Sequence, residues 1–338
     1  MPSLPTVSIV IPCFNEQATI RLLLGAIRGQ SYPLDLLEVV VADGMSTDST
    51  RQEIADYSQA HPDLHIRVVD NPARNIPAGL NRAIQASTGE VIIRLDAHSV
   101  PGSEYVARSV ADLQAGLGDN VGGVWEIQPG GAGFISRSIA AAAAHPIGVG
   151  DARYRYADQA QVVDTVPFGA FRRDLLMRLP PPTGSGTGPY DESLLTNEDY
   201  EFNTRIRQAG GAIWLDPDIH SAYFARPDLG SLARQYWRYG FWKQRMLRRY
   251  PETLRWRQAL PPVFVLSLVL LVIASIFFPL AVWLLLVEVV TYLLVLALVG
   301  LQLSLRRKDP ALLLGVPLAI AVMHLTWGSA FLWSFLRR

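Results

Sequence analysis

The feature that most constrains this chain is a long stretch near its end with almost no charge. From Gln258 to Leu305 the only charged residue is Glu288, and Ala311–Leu336 has none. A helix that crosses a bilayer needs roughly 20 apolar residues. The first tract is too long for one such helix, and Pro279 divides it into Val263–Phe278 and Leu280–Leu303, with Ala311–Phe335 as a third. About three membrane-crossing helices are therefore expected within residues 259–338, rather than a hairpin buried in a soluble protein. Arg306-Arg307-Lys308 lies between the second and third, whereas the turn at Phe277–Pro279 carries no charge. Basic residues favour the cytoplasmic side, which places residues 1–258 and 306–310 there. Arg337 and Arg338 then fall outside, against the rule. A re-entrant or interfacial hairpin of the first two helices would bring them back inside. Glu288 reads either as a partnered functional acid or as a helix–helix contact.

The formal net charge of zero conceals two halves. Residues 1–230 hold 17 Arg and 27 Asp or Glu, while residues 231–338 hold 13 Lys or Arg and 3 acids. Such a distribution excludes a disordered chain, a small disulfide-built domain and a nucleic-acid binder that is basic throughout. Between Arg234 and Arg257, basic residues interleave with Tyr236, Trp237, Tyr239, Phe241, Trp242, Tyr250 and Trp256. Beside a membrane segment this composition predicts amphipathic helices at the headgroup level over 231–258, with lipid rather than nucleic acid as partner. Val7–Phe14 lacks the basic flank and cleavage site of a signal peptide and reads as a strand. Cys13 is the sole cysteine, so no internal disulfide forms, in keeping with a cytoplasmic domain.

Residues 1–230 alternate strand and helix. Val7–Ile11, Leu37–Ala42, Ile66–Val69 and Val91–Leu95 are strand-like, and Gln17–Gln30, Ser49–Ala60 and Ile76–Ser87 have helical spacing. This alternation predicts an α/β domain, a mostly parallel sheet flanked by helices. Ligands of such sheets bind at the carboxyl ends of the strands. Those ends carry Asn15-Glu16, Asp43-Gly44 and Asp96-Ala97-His98. Ordinary turn chemistry explains Asp43 and Ser46 singly, but explains Asp96-Ala97-His98 less well after its apolar run.

Five blocks occur in order: VSIVIPCFNE (Val7–Glu16), DGMSTDST (Asp43–Thr50), NIPAGLNRA (Asn75–Ala83), RLDAHS (Arg94–Ser99) and NEDYE (Asn197–Glu201). Together they resemble the family 2 inverting glycosyltransferases with a GT-A fold. The resemblance covers about residues 5–245 and is nearest to membrane-attached enzymes of the succinoglycan, or exopolysaccharide, glucosyltransferase type. It implies a nucleotide-sugar donor, and it implies roles residue by residue. Pro12, Phe14 and Glu16 match the loop that holds uridine, and Asp43 matches the acid that contacts the base. Asp96 and His98 stand where the family has Asp-x-Asp on a divalent cation, Mn2+ or Mg2+. Histidine in the second place shifts preference towards manganese. His220 resembles a late metal ligand in some relatives, though a strand-edge histidine fits as well. Arg74, before the Asn75–Asn81 segment, fits either a phosphate contact or a solvated loop.

Inversion is a single displacement and needs a base for the acceptor hydroxyl. The resemblance assigns that role to Asp199, with Glu198 positioning Asp199 or the acceptor. Glu201 fits a cap or an ion pair with Arg205 at i+4. Phe168 and Gly169 match the acceptor-side segment, and Gly184–Tyr190 is expected to form a mobile loop at the same opening. Gln235 and Arg238 resemble a Gln-x-x-Arg-Trp signature with Tyr239 in place of Trp, implying either a diphosphate contact or membrane anchoring. The resulting expectation is a multi-pass protein of the cytoplasmic membrane, moving a hexose from a UDP-sugar to a polyprenyl-diphosphate-linked saccharide, alongside other polysaccharide-assembly proteins. The alternatives are a polyprenyl-phosphate glycosyltransferase, a processive polysaccharide synthase and an inactive membrane scaffold.

Overall fold

Val7, Ile9, Val10 and Ile11 are all fully buried. A strand apolar on both faces needs cover on both, which puts strand β1 (Val7–Cys13) inside the sheet. A computed structural model describes residues 3–184, 186 and 188–337 of the chain. It divides into two compact units, Met1–Glu126 with Tyr156–Tyr223, and Ile127–Arg155 with Phe224–Arg338.

In the first unit β1 is joined to β2 (Leu37–Asp43) through helix α1 (Ile20–Arg28), and β2 to β3 (His65–Asp70) through α2 (Thr50–Ala60). Helix α3 (Ile76–Ala86) then leads to β4 (Val91–Arg94). These four strands are parallel, in the order β3-β2-β1-β4. Their register aligns Cys13 with Asp43 and Asp43 with Asp70, so the carboxyl ends of β1, β2 and β3 are level. The fourth strand stops at Arg94, opposite Val10, and Leu95–His98 runs on beside the end of β1.

Beyond β4 the pairing changes. After β5 (Val100–Pro101), α4 (Tyr105–Gln114) and β6 (Asn120–Gln128), the chain crosses α5 (Phe134–Ala143) and α6 (Pro146–Val149) and returns through β7 (Gln161–Val163) to β8 (Ala170–Arg172). Strand β8 is antiparallel to both β4 and β6. Then come α7 (Leu175–Arg178), α8 (Glu198–Gln208) and β9 (Ile213–Phe224), and β9 pairs antiparallel with β5 and β7. The sheet is thus parallel where helices supply the crossovers and antiparallel where chain segments return beside it.

The second unit is helical: α5, α6, α9 (Leu229–Leu247), α10 (Trp256–Ser275), α11 (Pro279–Arg307) and α12 (Leu312–Leu336). Its core joins Ile139 and Ala140–Ala142 of α5, Leu232 and Tyr236 of α9, Leu296 and Val299 of α11, and Val316, Ile320 and Met323 of α12. Three of these helices, α10, α11 and α12, are long and apolar enough to cross a membrane. Helix α10 begins before the first uncharged tract and contains Pro261 and Pro262, and α9 is one continuous helix through most of the basic-aromatic segment.

Two glycines test this packing. An added Cβ on Gly123 would fall 1.6 Å from the Ile219 carbonyl oxygen, whereas on Gly25, in exposed helix, the nearest atom is the Tyr57 hydroxyl at 3.8 Å. Gly123→Ala is expected to destabilise the first unit by about 1–3 kcal/mol or more, and Gly25→Ala to stabilise it by about 0.5–1 kcal/mol. Thermal unfolding of the two variants checks both signs.

Candidate active site

Charged residues at the end of buried strands need partners, and Arg94 ends the apolar strand β4. Its side chain is 5% exposed, with Nη2 2.9 Å from Glu198 Oε1 and 3.2 Å from Asp96 Oδ1. One guanidinium therefore ties the loop after β4 to the head of α8. Its Nε and Nη1 have no hydrogen-bond partner among the described residues. Burial alone would ease its proton off, but Asp96, Glu198 and Asp199 outweigh that and hold it firmly charged.

Helix α8 opens with Glu198, Asp199 and Glu201 in its first turn, at the end where the helix dipole favours anions. Burial, then the neighbouring Glu198 charge, push Asp199 up to about 7, against the pull of Arg94 and of the Tyr200 N–H that Asp199 Oδ1 accepts at 2.7 Å. Glu201 faces away into a buried ion pair with Arg205, 2.7 Å from Oε1 to Nε. Arg205 also donates to the carbonyls of Pro180 and Pro189, anchoring the Pro/Gly-rich segment between them. Within that segment Ser185 and Thr187, part of the expected mobile loop, lie outside the described residues. Tyr190, at its end, is pinned to α3 by two hydrogen bonds with the Asn81 amide, each 2.9 Å.

On the other side, the loops after β1 and β2 are laced together. Asn15 N donates to Ser46 Oγ (2.9 Å), Thr47 N to Asn15 Oδ1 (2.8 Å) and Glu16 N to Thr50 Oγ1 (2.8 Å). Gly44 lets them approach: a Cβ there would sit 3.2 Å from Phe14 and 3.3 Å from the Cys13 carbonyl. Asn15, Met45, Arg74 and Asn197 all have positive φ, and all lie in loops after β1, β2 and β3 or at the start of α8. Left-handed backbone on non-glycine residues is strained and gathers where the surrounding structure imposes it, typically at functional sites.

The expected site residues fall as follows. Phe14 is exposed, and Pro12 and Glu16 are half-buried. Glu16 Oε1 lies 3.1 Å from His98 Nδ1, a contact that orients the imidazole. Asp43 is fully buried behind Ser46, which donates to it at 2.5 Å, and Arg51, whose Nε lies 2.6 Å away. Arg51 also reaches Asp70, level with Asp43 on β3. Arg74 is exposed, and Ile76–Asn81 lies within α3, in keeping with its helical spacing, with the Asn75 side chain capping the helix by accepting from Ala78 N. Phe168 and Gly169 are buried: the Tyr105 hydroxyl donates to the Phe168 carbonyl (2.9 Å), and a Cβ on Gly169 would meet Asn120 Oδ1 at 2.1 Å. His220 lies beside Glu126 (3.9 Å), with Nδ1 3.2 Å from the Asp218 carbonyl. Gln235 and Arg238 belong to α9 in the second unit, where Gln235 donates to the Tyr239 hydroxyl at 3.0 Å.

Arg51 was not singled out by strand and motif patterns, and Arg94, Ser46 and Asn15 were given no role of their own by them. For Arg94 the signal was present, a lone charge closing an apolar strand. The others act through contacts made only once the loops meet. Among the described residues no group of three or more His, Cys, Asp or Glu is arranged to hold a metal ion.

Residues 8–179 match the family described as glycosyl transferase family 2. The succinoglycan biosynthesis protein ExoA of Rhizobium meliloti (strain 1021) is 32% identical over 329 residues, covering 96% of this chain and 93% of that protein. A dolichyl N-acetyl-alpha-D-glucosaminyl phosphate 3-beta-D-2,3-diacetamido-2,3-dideoxy-beta-D-glucuronosyltransferase of Methanococcus voltae is 23% identical over 327 residues, 94% of this chain and 93% of that one. Among solved structures, the mannosyltransferase PcManGT from Pyrobaculum calidifontis, in complex with GDP-Man and Mn2+, is similar with a TM-score of 0.60 at 23% identity, covering 96% of this chain and 88% of that one. At that identity the likeness establishes the fold, a GT-A-like mixed sheet flanked by helices.

Removing one partner of a buried ion pair strands the other, so Arg94→Met is expected to lose about 3–5 kcal/mol. Arg28→Met, which breaks the half-exposed pair with Asp63, changes stability by at most about 1 kcal/mol. Folding also draws a proton onto Asp199, whose usual value is 3.8. Its contribution to stability therefore falls as pH rises between about 4 and about 7 and is level above that. Asp199→Asn removes this slope, so the variant gains on the parent across that window, which denaturant titrations at several pH values measure.

Proposed function

The chain belongs to glycosyl transferase family 2, and from that membership we propose that it moves a hexose from a UDP-sugar to a hydroxyl of a polyprenyl-diphosphate-linked saccharide, with inversion. The observation that carries this reading is the Asp199 carboxylate at the head of α8, raised towards neutrality beside Glu198, which Arg94 holds in an ion pair. A base near pH 7 is suited to take the acceptor proton as the hydroxyl attacks. Glu198, committed to Arg94, positions Asp199 and sustains its raised affinity for a proton. A lipid-phosphate acceptor is already ionised and needs no base, so the raised carboxylate favours a sugar hydroxyl.

Three long apolar helices support an acceptor that stays in the bilayer, since confinement to the same surface raises its effective concentration. The names of the Rhizobium and Methanococcus relatives, for succinoglycan biosynthesis and for transfer to a dolichyl-phosphate-linked sugar, point the same way. On the donor side Phe14 and Pro12 offer an apolar edge to the base. Asp43 acts as a positioning residue through Ser46 and Arg51. Arg74 is assigned to the diphosphate.

The donor set fits a divalent cation with few protein ligands. Asp96 keeps a partly exposed carboxylate, and Glu16 fixes the His98 ring by its Nδ1, as outer carboxylates do for ligating histidines. Asp96 and His98 would hold the ion, and the donor phosphates and water would complete its shell. When bound, such an ion neutralises charge on the leaving diphosphate. His220 is outside this set, its ring being engaged by Glu126 and Asp218.

Asp199→Asn is expected to keep UDP-sugar binding while transfer to a lipid-linked acceptor falls at least about a hundredfold. In the parent enzyme the rate rises with pH through about 7 and then levels, because only the ionised carboxylate accepts a proton. Unchanged transfer in the variant would remove Asp199 from the reaction. Turnover compared in manganese, magnesium and chelator tests the cation: His98→Ala should lower the response to manganese, and full activity in chelator would exclude the Asp96–His98 assignment.

A further inference from the structure

Helix α12 is long and apolar enough to cross a bilayer, yet its neighbours are not those of a crossing helix. A third crossing would run antiparallel to α11 as far as the tip of the α10–α11 hairpin, setting residues 328–336 beside 280–288. Helix α12 begins that way. A Cβ on Gly300 would lie 2.6 Å from the Leu313 carbonyl, and the Tyr292 hydroxyl is 3.2 Å from His324 Nδ1. It then turns aside. A Cβ on Gly328 would lie 2.5 Å from the carbonyl of Pro261, close to the start of α10 and far from the tip. Ser334 is held by α9, its hydroxyl donating to Gln244 Oε1 (3.0 Å) and its carbonyl accepting from Arg248 (3.2 Å). The tip itself stays bare, with Phe277, Phe278, Leu280, Trp283 and Val287 all more than 60% exposed.

Polar-bearing segments pack against α12 along its length. Ser138 of α5 packs on Gly315, the Ile147 carbonyl accepts from His324 Nε2 at 2.8 Å, and Gly240 of α9 admits the backbone at Trp327. Asp309, just before α12, pairs with Arg137. Of the apolar stretches, 39% of α12 is buried against 6% of α10 and 17% of α11. Helix α9 carries Arg234, Arg238, Lys243 and Arg245 within its length, and each such residue costs roughly 2.5–3.5 kcal/mol at a bilayer centre. It cannot accompany α12 through hydrocarbon. The exposed large residues of α12, Leu313, Leu314, Leu318, Leu325, Trp333, Phe335 and Leu336, are all apolar, and most of them fall along one side, as in a helix lying in an interface.

We propose that α12 lies along the membrane surface instead of crossing it, so that the α10–α11 hairpin alone inserts and residue 337 lies on the same side as residues 1–255. The partner of this surface is a lipid bilayer: acyl chains meet the apolar stripe, and headgroups meet the basic residues of α9 and those at both ends of α12. Inside the hairpin, Glu288 is kept from lipid by the Ser267 hydroxyl, which donates to it across α10 and α11. Arg306-Arg307-Lys308 and Arg337 then all lie on one side, which removes the conflict with the positive-inside rule. This arrangement is independent of the proposed reaction.

The test uses the full chain with Cys13→Ala, which removes the single native thiol, and one new cysteine at a time: Met177→Cys, 90% exposed in the first unit, or Arg337→Cys. A membrane-impermeant maleimide is applied to sealed spheroplasts and to inverted vesicles, with denatured protein as the total. Both cysteines are expected to be shielded in spheroplasts and to react in inverted vesicles. Reaction at 337 in spheroplasts that shield 177 overturns the proposal, and so does release of the chain by alkaline carbonate, which denies insertion itself. Where neither preparation labels residue 337, fusions after it decide. A fluorescent GFP fusion with an inactive alkaline phosphatase fusion supports the proposal, and the converse overturns it.

Discussion

The site depends on one buried cation. Arg94 closes β4, and its guanidinium meets Asp96 from the following loop and Glu198 from α8, more than a hundred residues later. Without it, the buried Glu198 would lose its partner and stand uncompensated beside Asp199, with Asp96 close by. With it, Glu198 stays close to Asp199, and the pair's shared field together with burial lifts Asp199 to the range where a carboxylate exchanges protons near neutral pH. The same contact joins the loop after β4 to the head of α8, so two distant parts of the chain are set by a single side chain.

Around that centre, local strain is held in place by hydrogen bonds. Asn15 and Met45 take left-handed backbone, and the loops that contain them are tied by Ser46, Thr47 and Thr50. Asn197 turns the chain into α8 in the same conformation. Asparagine tolerates this region, while Met45 and Arg74 do so at some cost in energy. A loop fixed in this way loses little freedom when a ligand arrives, which is how a preorganised site gains affinity. The second unit follows different physics, with small residues such as Gly240, Gly300 and Gly315 letting helices approach closely.

Much of this was legible in the chain, and for physical reasons. Val7–Ile11 and Val91–Leu95 are apolar without interruption, so they announce buried parallel strands. Glu201 and Arg205 stand four apart, and the helix makes them partners. The glycosyltransferase blocks place Asp96 and Asp199 at strand and helix ends, where the structure puts them. Other features were not legible. Asp43 matches an acid that contacts the base, and no local pattern showed that Ser46 and Arg51 would cover it where the loop after β2 folds back over the strand end. Phe168 and Gly169 match an acceptor-side segment, and only the fold shows that both are buried, against Tyr105 and Asn120.

The sequence by itself determined the two solvents this protein must satisfy. Its acidic, alternating first part can fold only as a water-facing sheet with helices, and its uncharged tracts can settle only in or against lipid. Those choices follow from composition and periodicity, which act residue by residue. Tertiary structure alone decided which charges meet and where α12 goes. Arg94 finds Glu198 because β4 and α8 are brought together by sheet order, and α12 leaves the hairpin because α9 and α5 occupy its flanks. Pairings over such separations depend on how whole elements pack, and no local pattern carries that information.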